Sequence, residues 1–143
     1  MMPHARTRAQ DGTLLAYQHE GGGRPLVLLA GQANDHHWWD GVREDFHTTH
    51  GTITVDYRGT GDSDRPDGPY STQVFAEDVI AVLDDLGIER ADVYGTSMGG
   101  RVALWIAIRH PGRVRHPMSL DVKRPGVGRD VTRRLLRRRG FGS

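Results

Sequence analysis

The sequence predicts an α/β fold in which a parallel sheet carries helices on both faces. Three short runs at 26–30, 53–55 and 91–94 have the character of strands, and the first two have that of strands buried in a sheet. The segments after them repeat apolar residues at helical spacing. Strand and helix signals that alternate in this way indicate parallel strands joined by crossover helices.

Each remaining element has a local signal. Strand-like residues on either side of the turn at Asp11 predict a hairpin, and a short helix is expected over 38–46. Ser71 is a good N-cap for a helix that stops at Gly87. A further helix over 98–108 ends before a Pro-Gly pair.

Length and composition fit one ordinary domain. The chain has 143 residues, 36% of them hydrophobic, and no cysteine, which excludes a disulfide-stapled scaffold. The apolar runs, the longest of which is 102–108, are far shorter than the ~20 residues of a membrane helix, and no signal peptide is visible. We therefore expect a cytoplasmic protein without membrane contact.

The net charge of +1 conceals an uneven distribution. Residues 1–112 carry 9 arginines against 16 acids, whereas residues 113–143 carry 10 basic residues against 2 acids. Pro117 makes 116–122 a poor strand, since a central strand needs every N–H. We therefore predict that 1–115 forms the domain and that 116–143 is a basic, disordered or non-native tail, produced by a shifted reading frame or a truncated gene.

The most informative motif is Gly95-Thr96-Ser97-Met98-Gly99, which follows a strand and opens a helix. This is the G-x-S-x-G pattern in its required context, where a tight turn holds the serine hydroxyl clear of the sheet. The glycines remove Cβ atoms that would collide with the neighbouring helix and strand. The alternatives are a structural turn or a phosphate-binding loop, although the glycine patterns of phosphate loops are absent.

Together with two further motifs, this pentapeptide resembles the α/β-hydrolase family, most closely its serine esterase and enol-lactonase branch. The other two are Gly31-Gln32 after the first buried strand and the D-x-R-G-x-G-x-S loop at 56–63. The resemblance covers roughly residues 12 to 115, the N-terminal portion of that fold. It implies an α/β-hydrolase-type sheet that is truncated after the helix following the nucleophile elbow.

The resemblance also implies a chemistry. Ser97 would be the nucleophile, and the backbone N–H groups of Gln32 and Met98 would form the oxyanion hole. A serine at the elbow indicates small-molecule carboxylic esters or lactones, whereas an aspartate would indicate epoxide or dehalogenation chemistry. No cofactor and no metal are expected.

The general base and its acid partner are not evident. The family order is serine, acid, histidine, but the last histidines are His110, ~20 Å along the helix that Ser97 begins, and His116. His36 and His37 precede Ser97. Asp121 is a weak candidate for the acid, and the catalytic histidine is unknown.

Two other interpretations remain open. The chain is either an inactive fragment of a hydrolase, or a binding protein whose arginine-rich end engages an anionic surface or nucleic acid. Five tail arginines without interleaved aromatic residues make nucleic acid the less favoured partner. If the strand at 91–94 lacks its outer neighbour, its open edge would promote self-association.

Overall fold

The computed structural model describes residues 4–46 and 49–120, and these form one six-stranded sheet with helices on both faces. The strands are β1 (His4–Arg8), β2 (Leu14–Glu20), β3 (Arg24–Leu29), β4 (His50–Val55), β5 (Ala91–Thr96) and β6 (Val114–Leu120). The helices are α1 (Thr72–Asp85) and α2 (Met98–Arg109), with short 3₁₀ helices at His36–Trp39, Arg43–Phe46 and Pro111–Arg113.

The strand order is β1-β2-β4-β3-β5-β6. The first two pairings, β1 with β2 and β2 with β4, are antiparallel, whereas β4, β3, β5 and β6 run parallel to one another. The predicted hairpin and the parallel sheet are therefore confirmed. After β3 the chain proceeds to one side, to β4, and then crosses to the other side, to β5. The carboxyl ends of β3 and β5 thus meet where the winding changes direction, which is where open α/β sheets bind ligands.

Two apolar layers hold the sheet. One face packs against α1 and α2, and the core there is built on buried residues such as Val27, Val79, Val93 and Ile106. The other face is covered by the two 3₁₀ helices before β4, through Trp39 and other apolar side chains. The single helix expected over 38–46 is thus replaced by two short 3₁₀ helices.

The ends of α1 follow the sequence signals. Ser71 has an extended backbone, and its hydroxyl accepts a hydrogen bond from the Val74 N–H at 3.1 Å. Gly87, just beyond the helix, adopts φ +68°, a left-handed conformation that favours glycine.

The expectation that 116–122 makes a poor strand is wrong for residues up to 120. Strand β6 pairs in parallel with β5, and Pro117 lies opposite Val93 beside a register shift. Within the described part of the chain β6 has only one neighbour, and an irregular edge strand tolerates a residue without an N–H. The expected open edge on β5 is therefore also wrong. Residues 121–143, and Asp121 with them, lie outside the described residues, so the proposed tail remains a prediction.

The outer surface of α2 is partly apolar. Leu104 and Ile108, four residues apart, are 51% and 69% exposed. We call these two residues the outer face of α2. No helix within the described ranges is both long enough and apolar enough to cross a bilayer.

Candidate active site

Ser97 occupies a sharp turn between β5 and α2. Its φ of 51° and ψ of −118° lie outside the conformations that residues with a side chain ordinarily adopt. Ser97 is exposed, although Thr96 and Met98 on either side of it are buried. The turn therefore presents one side chain to solvent at the carboxyl end of β5, as the motif predicts.

The glycines of the motif are required by close packing. A Cβ on Gly95 would lie 2.0 Å from the Gly99 carbonyl oxygen, and a Cβ on Gly99 would lie 2.2 Å from the Leu29 carbonyl oxygen. Both neighbours are backbone atoms, which cannot turn aside as a flexible side chain can. The start of α2 therefore lies directly against the end of β3, and this contact sets the strained turn in place.

The loop after β3 meets this turn. A Cβ built on Gly31 would lie 3.6 Å from the Ser97 Cβ, so the loop passes beside the serine. Gln32 and Ala33 are exposed, and Ala33 has a positive φ of 63°. The Tyr57 hydroxyl donates to the Ala30 carbonyl at 2.9 Å and anchors the loop from below.

Gln32 and Met98, the two predicted backbone donors, line one cavity of about 490 Å³. Tyr57 and Phe75, stacked with ring centroids 4.8 Å apart, form part of its wall. The ring of Tyr70 forms another part. This volume is within the range of small-molecule sites.

Asp56 ties together the two loops beside this cavity. Its carboxylate accepts hydrogen bonds from the His36 backbone N–H at 2.8 Å and from the Asp62 N–H at 3.1 Å. The His36 ring nitrogen Nδ1 lies 2.8 Å from the same carboxylate, and both residues are buried. No local sequence pattern predicts this pair, because His36 and Asp56 lie 20 residues apart.

Arg58 is a buried cation held by two carboxylates. Its guanidinium donates two hydrogen bonds of 2.7 Å to Asp78, which is also buried, and one of 2.8 Å to the half-exposed Asp11. The hydrogen bonds that it donates to Asp78, and then those to Asp11, raise the pKa of Arg58 above its ordinary value. No local sequence pattern predicts this contact, because Asp78 and Asp11 lie 20 and 47 residues from Arg58 along the chain.

Among the histidine side chains that the structure describes, none is hydrogen-bonded to the Ser97 hydroxyl. His110 contacts Glu77 at 2.9 Å, as suits a residue at a helix end. The exposed His37 lies 2.9 Å from Asp40, whose hydrogen bond raises the pKa of His37. His116 lies in β6, where only the backbone is described.

Among the described residues, two groups of side chains are close enough to hold a metal ion: Asp35 with His36 and His37, and His36 with Asp56 and Asp62. Internal hydrogen bonds already use atoms of both groups, since Asp35 accepts from the His37 N–H and Asp56 binds His36. We therefore assign no metal ion to either group.

Residues 24–133 match the sequence model of the alpha/beta hydrolase fold. The chain therefore belongs to the alpha/beta hydrolase fold family. The match extends to residue 133, whereas the resemblance that the motifs carry ends near residue 115.

Individual relatives show the range of chemistry found on this fold. The chain is 39% identical over 99 residues to a 2-hydroxymuconate semialdehyde hydrolase of Pseudomonas sp. strain CF600, covering 66% of this chain and 35% of that protein. It resembles the solved enol-lactonase of Burkholderia xenovorans LB400 with 30% identity and a TM-score of 0.73, covering 78% of this chain and 44% of the enzyme. The epoxide hydrolase CorEH has 30% identity and a TM-score of 0.76, with coverages of 80% and 40%. The chain thus spans less than half the length of each.

Proposed function

We propose that this chain is the nucleophile-bearing portion of a serine hydrolase that cleaves carboxylic ester or lactone bonds in small molecules. The observation that carries the proposal is the conformation of Ser97. Ser97 is exposed between buried neighbours, and its backbone is held at φ 51°. A backbone conformation of this kind costs on the order of 1–3 kcal/mol, and it persists only where the surrounding structure enforces it. Here Gly95 and Gly99 permit the packing that enforces it.

In the proposed reaction the Ser97 Oγ attacks the carbonyl carbon of the substrate. The carbonyl oxygen gains the electron pair, and the backbone N–H groups of Gln32 and Met98 donate to it. When the tetrahedral intermediate collapses, the bond to the leaving alcohol breaks and the acyl group stays on Ser97. Water then releases the acid. In a lactone the leaving alcohol remains part of the same molecule.

The reaction needs a base that takes the Ser97 proton and returns it to the leaving alkoxide. We propose that this base lies outside the described residues, since His36, His37 and His110 are all engaged with carboxylates elsewhere. Asp121 is kept as the weak candidate for the acid partner.

The identity of the elbow residue favours acyl chemistry over epoxide opening. An enol-lactonase and an epoxide hydrolase have similar folds to this chain, so the fold by itself does not choose between them. A serine nucleophile forms an acyl ester, which water can hydrolyse once a base activates it, and this suits ester and lactone substrates.

Labelling by a fluorophosphonate tests the proposal, because this reagent modifies activated serines. The full chain should be labelled at Ser97, as located by peptide mass mapping, and Ser97→Ala should remain unlabelled while keeping its circular dichroism spectrum. Label on another residue, or equal labelling of heat-denatured protein, would argue against an activated serine.

The inactive-fragment hypothesis predicts a different result. If the chain lacks a working base, Ser97 should react with fluorophosphonate no faster than a free serine does, and p-nitrophenyl butyrate should not be turned over. The binding-protein hypothesis rests on tail arginines that lie outside the described residues. A DNA filter-binding assay across salt, with and without residues 123–143, tests it.

A further inference from the structure

The loop that carries Gln32 is held at both of its ends by two consecutive residues. We call residues 30–36 the Gln32 loop. The Tyr57 hydroxyl donates to the Ala30 carbonyl at 2.9 Å, where the loop leaves β3. The Asp56 carboxylate accepts from the His36 N–H at 2.8 Å, where the first 3₁₀ helix begins. Because Asp56 and Tyr57 directly follow β4, one short segment of chain fixes the loop at both ends.

Asp56 is itself rigidly placed. It is fully buried, its N–H donates to the Ala16 carbonyl at 3.0 Å, and its own carbonyl accepts from the Ser63 hydroxyl at 2.6 Å. Its carboxylate accepts from the Asp62 N–H at 3.1 Å and lies so close to Gly61 that an added Cβ there would collide with it. The carboxylate is therefore a fixed point to which the Gln32 loop is attached.

His36 binds this fixed point through its ring as well as its backbone. The ring nitrogen Nδ1 lies 2.8 Å from one oxygen of the Asp56 carboxylate and 3.0 Å from the other. Since a carboxylate only accepts, Nδ1 carries the hydrogen and donates. Both side chains are shielded from water, which strengthens a hydrogen bond to a charged acceptor. The pair thus fixes the orientation of His36 in addition to its position.

Between its two ends the Gln32 loop has little support of its own. Gln32 and Ala33 are exposed, and Ala33 has a left-handed φ of 63°, which is unfavourable for a residue with a side chain. The turn is closed by one long hydrogen bond, from the Asn34 N–H to the Gly31 carbonyl at 3.3 Å. No backbone group of the described residues accepts from the Gln32 N–H. A strained loop of this kind keeps its shape only if its surroundings enforce it.

We propose that the buried His36–Asp56 pair is a positioning device that holds the Gln32 N–H in the oxyanion hole. The inference rests on the proposed function, because Gln32 is one of its two oxyanion donors. Neither His36 nor Asp56 lines the cavity, so both act through the Gln32 loop and are positioning residues. The role of the pair is to keep a donor in place before the substrate arrives, which is what stabilises a developing oxyanion without reorganisation.

The backbone order of Gln32, measured by ¹⁵N NMR relaxation on the full chain, tests the inference without any reaction. In the unaltered chain the order parameter of Gln32 should be close to that of Val93 in β5, about 0.8 or higher. His36→Leu and Asp56→Asn should lower it at Gln32 to below about 0.6 and leave Val93 unchanged. His36→Asn should keep it high, because the asparagine Nδ2 takes the place of the ring Nδ1 as donor.

Fluorophosphonate labelling of Ser97 gives the chemical consequence. Removing an oxyanion donor typically slows a reaction by about 10²–10³, so a donor that is displaced should slow labelling about ten- to one-hundred-fold in His36→Leu and Asp56→Asn. The rate of His36→Asn should stay near that of the unaltered chain. Asp40→Asn is the matched control, because it breaks the neighbouring but exposed pair of His37 with Asp40, whose contact distance is 2.9 Å. This control should change neither the order of Gln32 nor the labelling rate.

Four results would overturn the proposal. They are a mobile Gln32 in the unaltered chain, variants that lose stability in urea without any change of order at Gln32, an equal effect of Asp40→Asn, and labelling that stays fast when the order at Gln32 is lost. If either His36→Leu or Asp56→Asn does not fold, the other decides. Failure of the proposed function would appear instead as an unaltered chain that is not labelled, while the order of Gln32 still depends on the pair.

Discussion

Replacing Gly99 by alanine should disrupt the contact on which the candidate site depends. The new Cβ would lie 2.2 Å from the Leu29 carbonyl oxygen and 2.8 Å from that of Ala30, whereas real Cβ atoms essentially never approach closer than 3.0 Å. The start of α2 would therefore move away from the end of β3 by nearly an ångström. Such overpacking costs about 3 kcal/mol, and the better helix propensity of alanine returns only about 1 kcal/mol.

Urea unfolding followed by circular dichroism measures this effect. We expect Gly99→Ala to lower the free energy of unfolding by about 2 kcal/mol. Its labelling by the fluorophosphonate should also slow, because Gln32 and Met98 move apart. Gly112→Ala is the control, since nothing lies within 4 Å of its added Cβ and its backbone is not left-handed. A Gly99→Ala variant as stable as the control would refute the packing argument.

Three further results are expected. Asp78→Ala should cost about 3–5 kcal/mol in urea unfolding, because it leaves the buried Arg58 guanidinium without its closest partner, whereas Asp11→Ala should cost less; equal losses would contradict this. Burial lowers the pKa of His50, so the unfolded chain binds more protons and stability should fall as pH drops below about 6.5; His50→Gln should reduce this slope. Size-exclusion chromatography should show species larger than 15.9 kDa because of the outer face of α2, and a clean monomer would exclude self-association.

Local signals predicted most of the fold. The apolar runs, the Ser71 cap and the stop at Gly87 each act within a few residues, and each appears in the structure. The exception is β6. Pro117 argues against a strand only where both edges are paired, and whether a strand lies at the edge of a sheet is not a local property.

The candidate site could be predicted only in part. The turn at Ser97 is specified within five residues, so its motif was sufficient to predict an exposed, tightly packed serine. Contacts such as that of His36 with Asp56 join two loops that are distant in sequence, and either side chain could form hydrogen bonds with many other partners.

The central claim is that Ser97 accepts an acyl group. Incubation of the full chain with p-nitrophenyl butyrate, followed by intact-protein and peptide mass spectrometry, tests it most directly. We expect one butyryl group per chain, attached to Ser97, and none on Ser97→Ala. Butyryl groups spread over several nucleophiles, or present equally on Ser97→Ala, would contradict the account.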